Sequence, residues 1–400
     1  MKRSFAVLAL VLGLILCLTG CCAEEAVRVP ELNTARRPIP ENEAMEFLKA
    51  MGVGWNLGNT FDATGKNLRG DKEMDLETYW CGVRTNEKMF DALKAAGYGC
   101  VRIPVSWGDH VSGEGFLISS RWLDRVQEVV GWALDRGFYV ILNIHHDEYE
   151  FYPSSEKYES SSRYISSVWT QLAERFRDYD EHLIFESMNE PRLIGTSYEW
   201  TFNKTIPDCV DAAETLNRLN QLFVDTVRAS GGNNAARYLM VPGYDAAPDG
   251  ALNDYFKLPE DSADNRIIVS VHAYTPYPFA LQDGGTREFN LNYQSQLQEI
   301  VSFMNLLYGR YIVNGIPVVI GEFGARDKSG NLQARVDFAA FYTAAASARN
   351  IPCLWWDNGA FKGRGELFGI LDRRKGEFTY PQIVEAMITY GGYDKLPDPE

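Results

Sequence analysis

Eight short, mostly apolar runs, each closing on polar or aromatic side chains, constrain this chain more than any other feature. They are Val53–Trp55, Cys100–Pro104, Tyr139–Ile144, Leu183–Glu186, Arg237–Val241, Ile267–Val271, Val318–Ile320 and Pro352–Trp356. Runs this short, without polar alternation, suit strands buried on both faces. Between them lie stretches with helical spacing: Asn86–Ala96, Arg121–Arg136, Tyr164–Tyr179, Asp211–Ala229, Phe303–Val313 and Leu332–Arg349. Four of these stop at Gly97, Gly137, Gly231 and Gly315, where glycine supplies the left-handed turn that ends a helix. Buried strands alternating with helices predict a parallel sheet, and eight of them in 400 residues predict a single (β/α)8 TIM barrel. The alternative is an open, doubly wound sheet. The first run, GVGWNLGN, lacks the G-x-G-x-x-G turn that often opens such a sheet.

In a closed barrel the chemistry sits at the C-terminal ends of the strands. Those ends carry Asn56 and Asn59, Arg102, His145 with His146 and Asp147, Asn189 with Glu190, His272 with Tyr274, Glu322, and Trp355 with Trp356. The stretch HLIFESMNEP, residues 182–191, shows the logic. A buried run delivers an amide and a carboxylate, and Pro191 then stops ladder pairing. A second carboxylate, Glu322, arrives in VVIGEFG. Two such carboxylates can flank a glycosidic bond. A gap of about 5–5.5 Å favours retention, and about 6.5–9.5 Å leaves room for an inverting water. Sequence does not supply the gap.

Taken together, GWNLGNTFD, VRIPVSW, LNIHHD, FESMNEP, SVHAYTPYPF, PVVIGEFG and CLWWDNGAF resemble glycoside hydrolase family 5, with the closest likeness to its bacterial subfamily four. The likeness runs over roughly residues 45–390. It implies that Glu190 is the general acid/base and Glu322 the nucleophile of a retaining endo-β-1,4-glucanase. It implies that Asn189 holds the sugar 2-hydroxyl, and that Arg102 and Tyr274 hydrogen-bond Glu322. By the same resemblance His145 and His272 line the pocket, Trp356 is the sugar platform, and Asn59 reaches a hydroxyl. His146 stands between a catalytic and an outer role. A nucleophile must be ionised, which a neighbouring guanidinium favours. An acid must hold its proton, and the charge on Glu322 is expected to raise the Glu190 pKa. No cofactor is implied. The implied substrates are cellulose-type chains, mixed-linkage glucan or xyloglucan. A mannanase or xylanase of the same family remains open, as does a surface glycan-binding lipoprotein without chemistry.

Other features read more plainly. His145-His146-Asp147-Glu148 invites a metal, but neighbours on a strand point to opposite faces, and no HExxH is present. The expectation is no metal site. The same alternation lets only one of Trp355 and Trp356 face the pocket. Trp80, Trp107 and Trp200, in loops after strands, read as packing, with a sugar platform as the alternative, and DRRKGEF reads as a solvated basic turn. Cys22, Cys81, Cys100, Cys209 and Cys353 match no zinc spacing, and Cys100 and Cys353 read as core; a disulfide stays open. A net charge of −15 with no internal basic run excludes nucleic acid as an expected partner.

The N-terminus reads as a targeting segment. Lys2 and Arg3 precede an apolar Phe5–Leu18, and Leu18-Thr19-Gly20-Cys21 resembles a bacterial lipobox. The expected organisation is a lipoprotein-type signal peptide over 1–20, a proline-containing tether over 21–40, and a catalytic barrel over 41–396. The chain is then an exported bacterial lipoprotein at the cell surface or outer membrane, touching membrane only through a lipid on Cys21. No second module follows, so soluble or branched chains are expected over crystalline cellulose.

Overall fold

A computed structural model describes residues 26–399. The signal, Cys21 and the start of the tether lie outside the described residues. Eight parallel strands close into a barrel: β1 (Gly54–Leu57), β2 (Cys100–Ile103), β3 (Tyr139–Asn143), β4 (Leu183–Glu186), β5 (Leu239–Pro242), β6 (Ile267–His272), β7 (Val318–Phe323) and β8 (Cys353–Asp357). Each strand pairs with its neighbours in sequence. β1 closes the ring, with Gly54 opposite both Cys100 and Leu354. Every residue of seven strands is buried, and only Tyr139 of β3 is partly exposed. This is why the runs read as continuous rather than alternating.

Among the described residues, eight helices of nine or more residues surround the barrel: α1 (Glu43–Met51), α2 (Glu87–Ala96), α3 (Ser120–Leu134), α4 (Tyr158–Arg175), α5 (Pro207–Ala229), α6 (Gln294–Arg310), α7 (Leu332–Ser347) and α8 (Pro381–Tyr390). α1 precedes β1 and starts at Asn42, whose side chain accepts from the Met45 N–H at 2.8 Å. The β5–β6 crossover holds only a five-residue helix, Pro248–Leu252. α7 is alanine-rich and buried over most of its circumference, because it packs between α6, α8 and the strands.

The structure bears on three readings, and one of them, the solvated DRRKGEF turn, it corrects. From residue 26 to 40 the expected tether lies along the barrel wall. The Arg28 N–H and C=O pair with the Gln333 side chain at 2.9 and 2.8 Å. Tyr390 OH donates to Pro30 O, and the Arg37 N–H donates to Ala348 O. Cys81, Cys100, Cys209 and Cys353 are all free thiols. In the DRRKGEF turn, Arg373 is buried. Its Nη1 donates to Gly58 O at 2.9 Å and Thr60 Oγ1 at 2.8 Å, so it pins the loop after β1.

Candidate active site

The barrel mouth is organised around one guanidinium. Arg102 leaves β2 fully buried and spreads four donor contacts over the neighbouring strand ends. Nε donates to Glu186 Oε2 at 2.7 Å, Nη1 to Glu322 Oε1 at 2.7 Å and Asn56 Oδ1 at 3.1 Å, and Nη2 to Asn189 Oδ1 at 2.7 Å. Such a rigid fork is what arginine supplies and lysine does not. It fixes the Asn189 amide with its oxygen inward, so Nδ2 is left to donate into the cleft. The other oxygen of Glu322 accepts from Tyr274 OH at 2.8 Å.

His272 stands between the carboxylates. Its Nδ1 lies 2.8 Å from Glu190 Oε1 and 3.7 Å from Glu322 Oε1. Nε2 faces Glu186 Oε1 at 3.9 Å, an ion-pair distance beyond a hydrogen bond. One oxygen each of Glu190 and Glu322 lie within 4.8 Å of one another. Burial disfavours a charged imidazole here. The charges of Glu322, Glu186 and Glu190 outweigh it and raise the His272 pKa to about 10. The effect on Glu190 reverses the expectation from sequence. Burial raises its pKa, but the hydrogen bond and charge of His272 win, and the free protein holds it below the ordinary carboxyl value. The pair therefore carries its proton on the imidazole.

His145 is held neutral. Burial lowers its pKa well below the usual value, and the charge of His146 adds to that. The Val105 N–H donates to Asn143 Oδ1 at 3.1 Å, which leaves Asn143 Nδ2 to donate to Glu186 Oε2 at 3.0 Å and to His145 Nδ1 at 3.1 Å. Nδ1 of His145 is thus an acceptor, and Nε2 carries the hydrogen. Its ring lies parallel to Trp356, 5.8 Å between centroids. Trp356 covers Gly58 so closely that a Cβ there would sit 2.7 Å from the indole. Trp355 turns the other way, into Phe323, with Nε1 donating to Phe368 O at 3.1 Å. Asn59, at left-handed φ +56°, is half-buried in the loop below Trp356 and is held by its N–H to Asp62 Oδ2 at 2.9 Å.

Two groups bring metal-ligand atoms within 4.8 Å: Asp62 with His145 and His146, and Glu190 with His272 and Glu322. The first corrects an argument made from sequence. β3 ends at Asn143, so strand alternation no longer governs His145 and His146, and both approach Asp62. The donors still do not suit an ion. A ligating His145 would have to give up either its Nε2 hydrogen or the Asn143 bond, and Asp62 already accepts from the Asn59 and Thr60 N–H groups. His272 in the second group is cationic.

His146 is a rim residue. Its Nδ1 lies 3.4 Å from Glu148, and its ring is 5.8 Å from Trp80. It also borders a cavity of about 360 Å³ lined by Lys66, Arg69, Asp109 and Tyr149. Of the three tryptophans read as packing, only Trp107 is buried. Trp80 is 41% and Trp200 59% exposed at the mouth. Trp200 rests on the Arg192 guanidinium, 4.1 Å from the ring, and Arg192 Nη1 donates to the Glu190 backbone oxygen at 2.8 Å. All ten residues singled out from sequence thus lie at the mouth. Reasoning from sequence missed Glu186, although a charge inside a buried run signals a paired group.

The family model Cellulase (glycosyl hydrolase family 5) matches residues 61–362. Endoglucanase 1 of Ruminococcus albus is 43% identical over 355 residues, covering 88% of this chain and 82% of that protein. A family 5 lichenase from Caldicellulosiruptor sp. F32, solved in complex with cellotetraose, superposes with a TM-score of 0.90 at 54% identity, over 91% of this chain and 100% of that one. A subfamily 4 broad specificity endoglucanase from Ruminococcus champanellensis, solved with cellotriose, superposes at 0.81 with 40% identity, over 88% of this chain and 100% of that one. A family match over most of the chain, with relatives aligned along most of their own length, makes the protein a glycoside hydrolase, and the chain belongs to glycoside hydrolase family 5.

Proposed function

We propose that this protein is a retaining endo-β-1,4-glucanase acting on soluble β-glucans, with Glu322 as nucleophile and Glu190 as acid/base. The observation that carries this reading is the gap within 4.8 Å between one oxygen of each carboxylate. So close an approach favours the about 5–5.5 Å carboxyl spacing of retaining enzymes over the about 6.5–9.5 Å that an inverting water needs. Glu322 attacks the anomeric carbon while Glu190, taking back the proton that His272 Nδ1 holds 2.8 Å away in the free protein, passes it to the departing glycosidic oxygen. A glycosyl ester forms on Glu322, and the C–O bond to the leaving chain breaks. Water then enters, Glu190 takes its proton, and its oxygen displaces Glu322. In this reading Asn189 Nδ2 donates to the 2-hydroxyl, and His145 Nε2–H to a neighbouring one. The Trp356 face supports the pyranose by apolar contact. The lichenase and endoglucanase relatives support a β-glucan as substrate.

Reducing-end release by residues 23–400 tests this on carboxymethyl cellulose, mixed-linkage glucan, xyloglucan, xylan and mannan. Glucans are expected to be cut fastest, with the β-anomer appearing first by proton NMR. Primary release of the α-anomer would refute retention. The pH profile of kcat/KM is expected to be bell-shaped. The Glu190–His272 proton is lost as pH rises through a raised histidine value, so the alkaline limb should lie above neutrality. A limb centred near pH 6.5 would mean that His272 is an ordinary histidine.

The lipobox at Leu18–Cys21 supports reading the chain as an exported lipoprotein. Replacing Cys21 with serine should move the protein from the membrane fraction into the soluble one. Unchanged fractionation would remove the lipid from this account.

A further inference from the structure

Glu186 is a fully buried carboxylate of the barrel interior that faces the catalytic groups yet takes no part in bond making. It ends β4, four residues before Glu190, and its side chain is wholly shielded from solvent. Four groups surround it. Arg102 Nε donates at 2.7 Å, Asn143 Nδ2 at 3.0 Å and Ser270 Oγ at 2.7 Å, and His272 Nε2 stands 3.9 Å away. These partners come from β2, β3 and β6. Nε2 of His272 is buried and has no hydrogen-bond partner among the described residues, and Glu186 Oε1, 3.9 Å away, is the carboxylate that faces it. Buried ionic groups persist where paired charges and donors meet them on every side.

We propose that Glu186 is a positioning residue for the acid–base step: its buried charge holds the proton of the Glu190–His272 pair and fixes the Arg102 fork between Glu322 and Asn189. The proposal rests on the assignment of Glu190 and Glu322 above. The charged groups around His272 are Glu186 on β4, Glu190 and Arg192 in the loop after it, Glu322 on β7, Arg102 on β2, His145 after β3 and Asp245 after β5. Burial pushes the Asp245 carboxyl up to about 9, so it is neutral at pH 7 and adds no charge. Three anions then face two cations. Burial alone would raise the Glu186 pKa. Arg102 and His272 outweigh it and bring it down to about 2, so it stays charged across the working range.

Glu186→Gln separates charge from shape. A glutamine oxygen can take the bonds from Arg102 and Asn143, and its amide can donate to a rotated Ser270 hydroxyl. Only the charge is lost. Removing a nearby anion destabilises the proton on the pair, so the alkaline limb of kcat/KM should move acidward by about one pH unit or more. The His272 imidazole should follow in 15N NMR, with its signal among the five histidines assigned by His272→Asn. Glu186→Asp keeps the charge and should keep the wild-type limb, even at a lower rate. A purely structural role would instead lower the rate in both variants and leave limb and imidazole signal in place; that result overturns the proposal. If Glu186→Gln does not fold, the wild type decides. A neutral His272 at pH 7 in the free protein refutes it. Because the imidazole signal needs no turnover, it is read separately from any failure of hydrolysis.

Discussion

Glu322→Gln is expected to leave a folded protein that binds glucan and turns over nothing measurable. The amide oxygen can accept from Arg102 Nη1 where the carboxylate does at 2.7 Å. The amide nitrogen meets Tyr274 OH, which donates at 2.8 Å in the wild type and can accept instead. The pocket therefore keeps its shape and its Trp356 platform. The nucleophilic lone pair and the negative charge facing the forming oxocarbenium ion are what disappear. The loss in kcat should be about 10⁴-fold or more, about 5 kcal/mol or more of barrier. Thermal stability and affinity for cellotetraose should stay close to wild type. Measured as reducing ends from mixed-linkage glucan, residual activity within about 100-fold of wild type would require another nucleophile. A wild type that bound glucan and cut none would leave only a surface lectin on this barrel.

The barrel was legible because its strands are buried on both faces. Continuous apolar runs then mark them, and the first polar residue marks the mouth. β4 and the starts of β2, β3, β6 and β7 fall where the runs do. β5 begins two residues late, because Arg237 folds back to cap the carbonyls of Phe176, Tyr179, Asp180 and Leu183. α6 begins at Gln294, nine residues before the expected Phe303, since its first turns are polar and exposed and show no apolar period. The segment over 26–40 read as a tether because prolines and mixed charge suggest one. Its attachment is by backbone bonds to Gln333 and Tyr390, which leave no pattern in sequence.

The site residues were found by position at strand ends, but their charge states were not. Glu190 was expected to be raised by Glu322. The partner that decides its state is His272, whose own state depends on Glu322 and on the buried Glu186. Such dependence is three-dimensional. It becomes visible only once β2, β3, β4 and β6 converge.

The same convergence makes Arg102→Met the substitution with the largest expected cost to stability. Methionine fills part of the space and donates nothing. Glu186, fully buried, keeps only Asn143 and Ser270 as donors, and Glu322 keeps Tyr274. Removing one partner from a buried ion pair typically costs about 3–5 kcal/mol. Loss of Asn189 orientation and of the charge beside the nucleophile should also lower kcat/KM by about 10³-fold or more, about 4 kcal/mol. Arg102→Lys should rescue little, because one ammonium cannot reach Glu186, Glu322, Asn56 and Asn189 in a single plane. The stability penalty has a defined pH dependence. In the wild type the Glu186 pKa is lowered to about 2, so its contribution is present above the ordinary carboxyl range and lost as pH falls through about 2. In the variant, burial without the guanidinium raises that pKa, so the carboxyl takes up a proton and the penalty relaxes on acidification. Urea unfolding should therefore show the largest difference between the two proteins at pH 7 and a smaller one near pH 4. An equal difference at both values would mean that Arg102 stabilises the barrel by packing and not by holding buried charge.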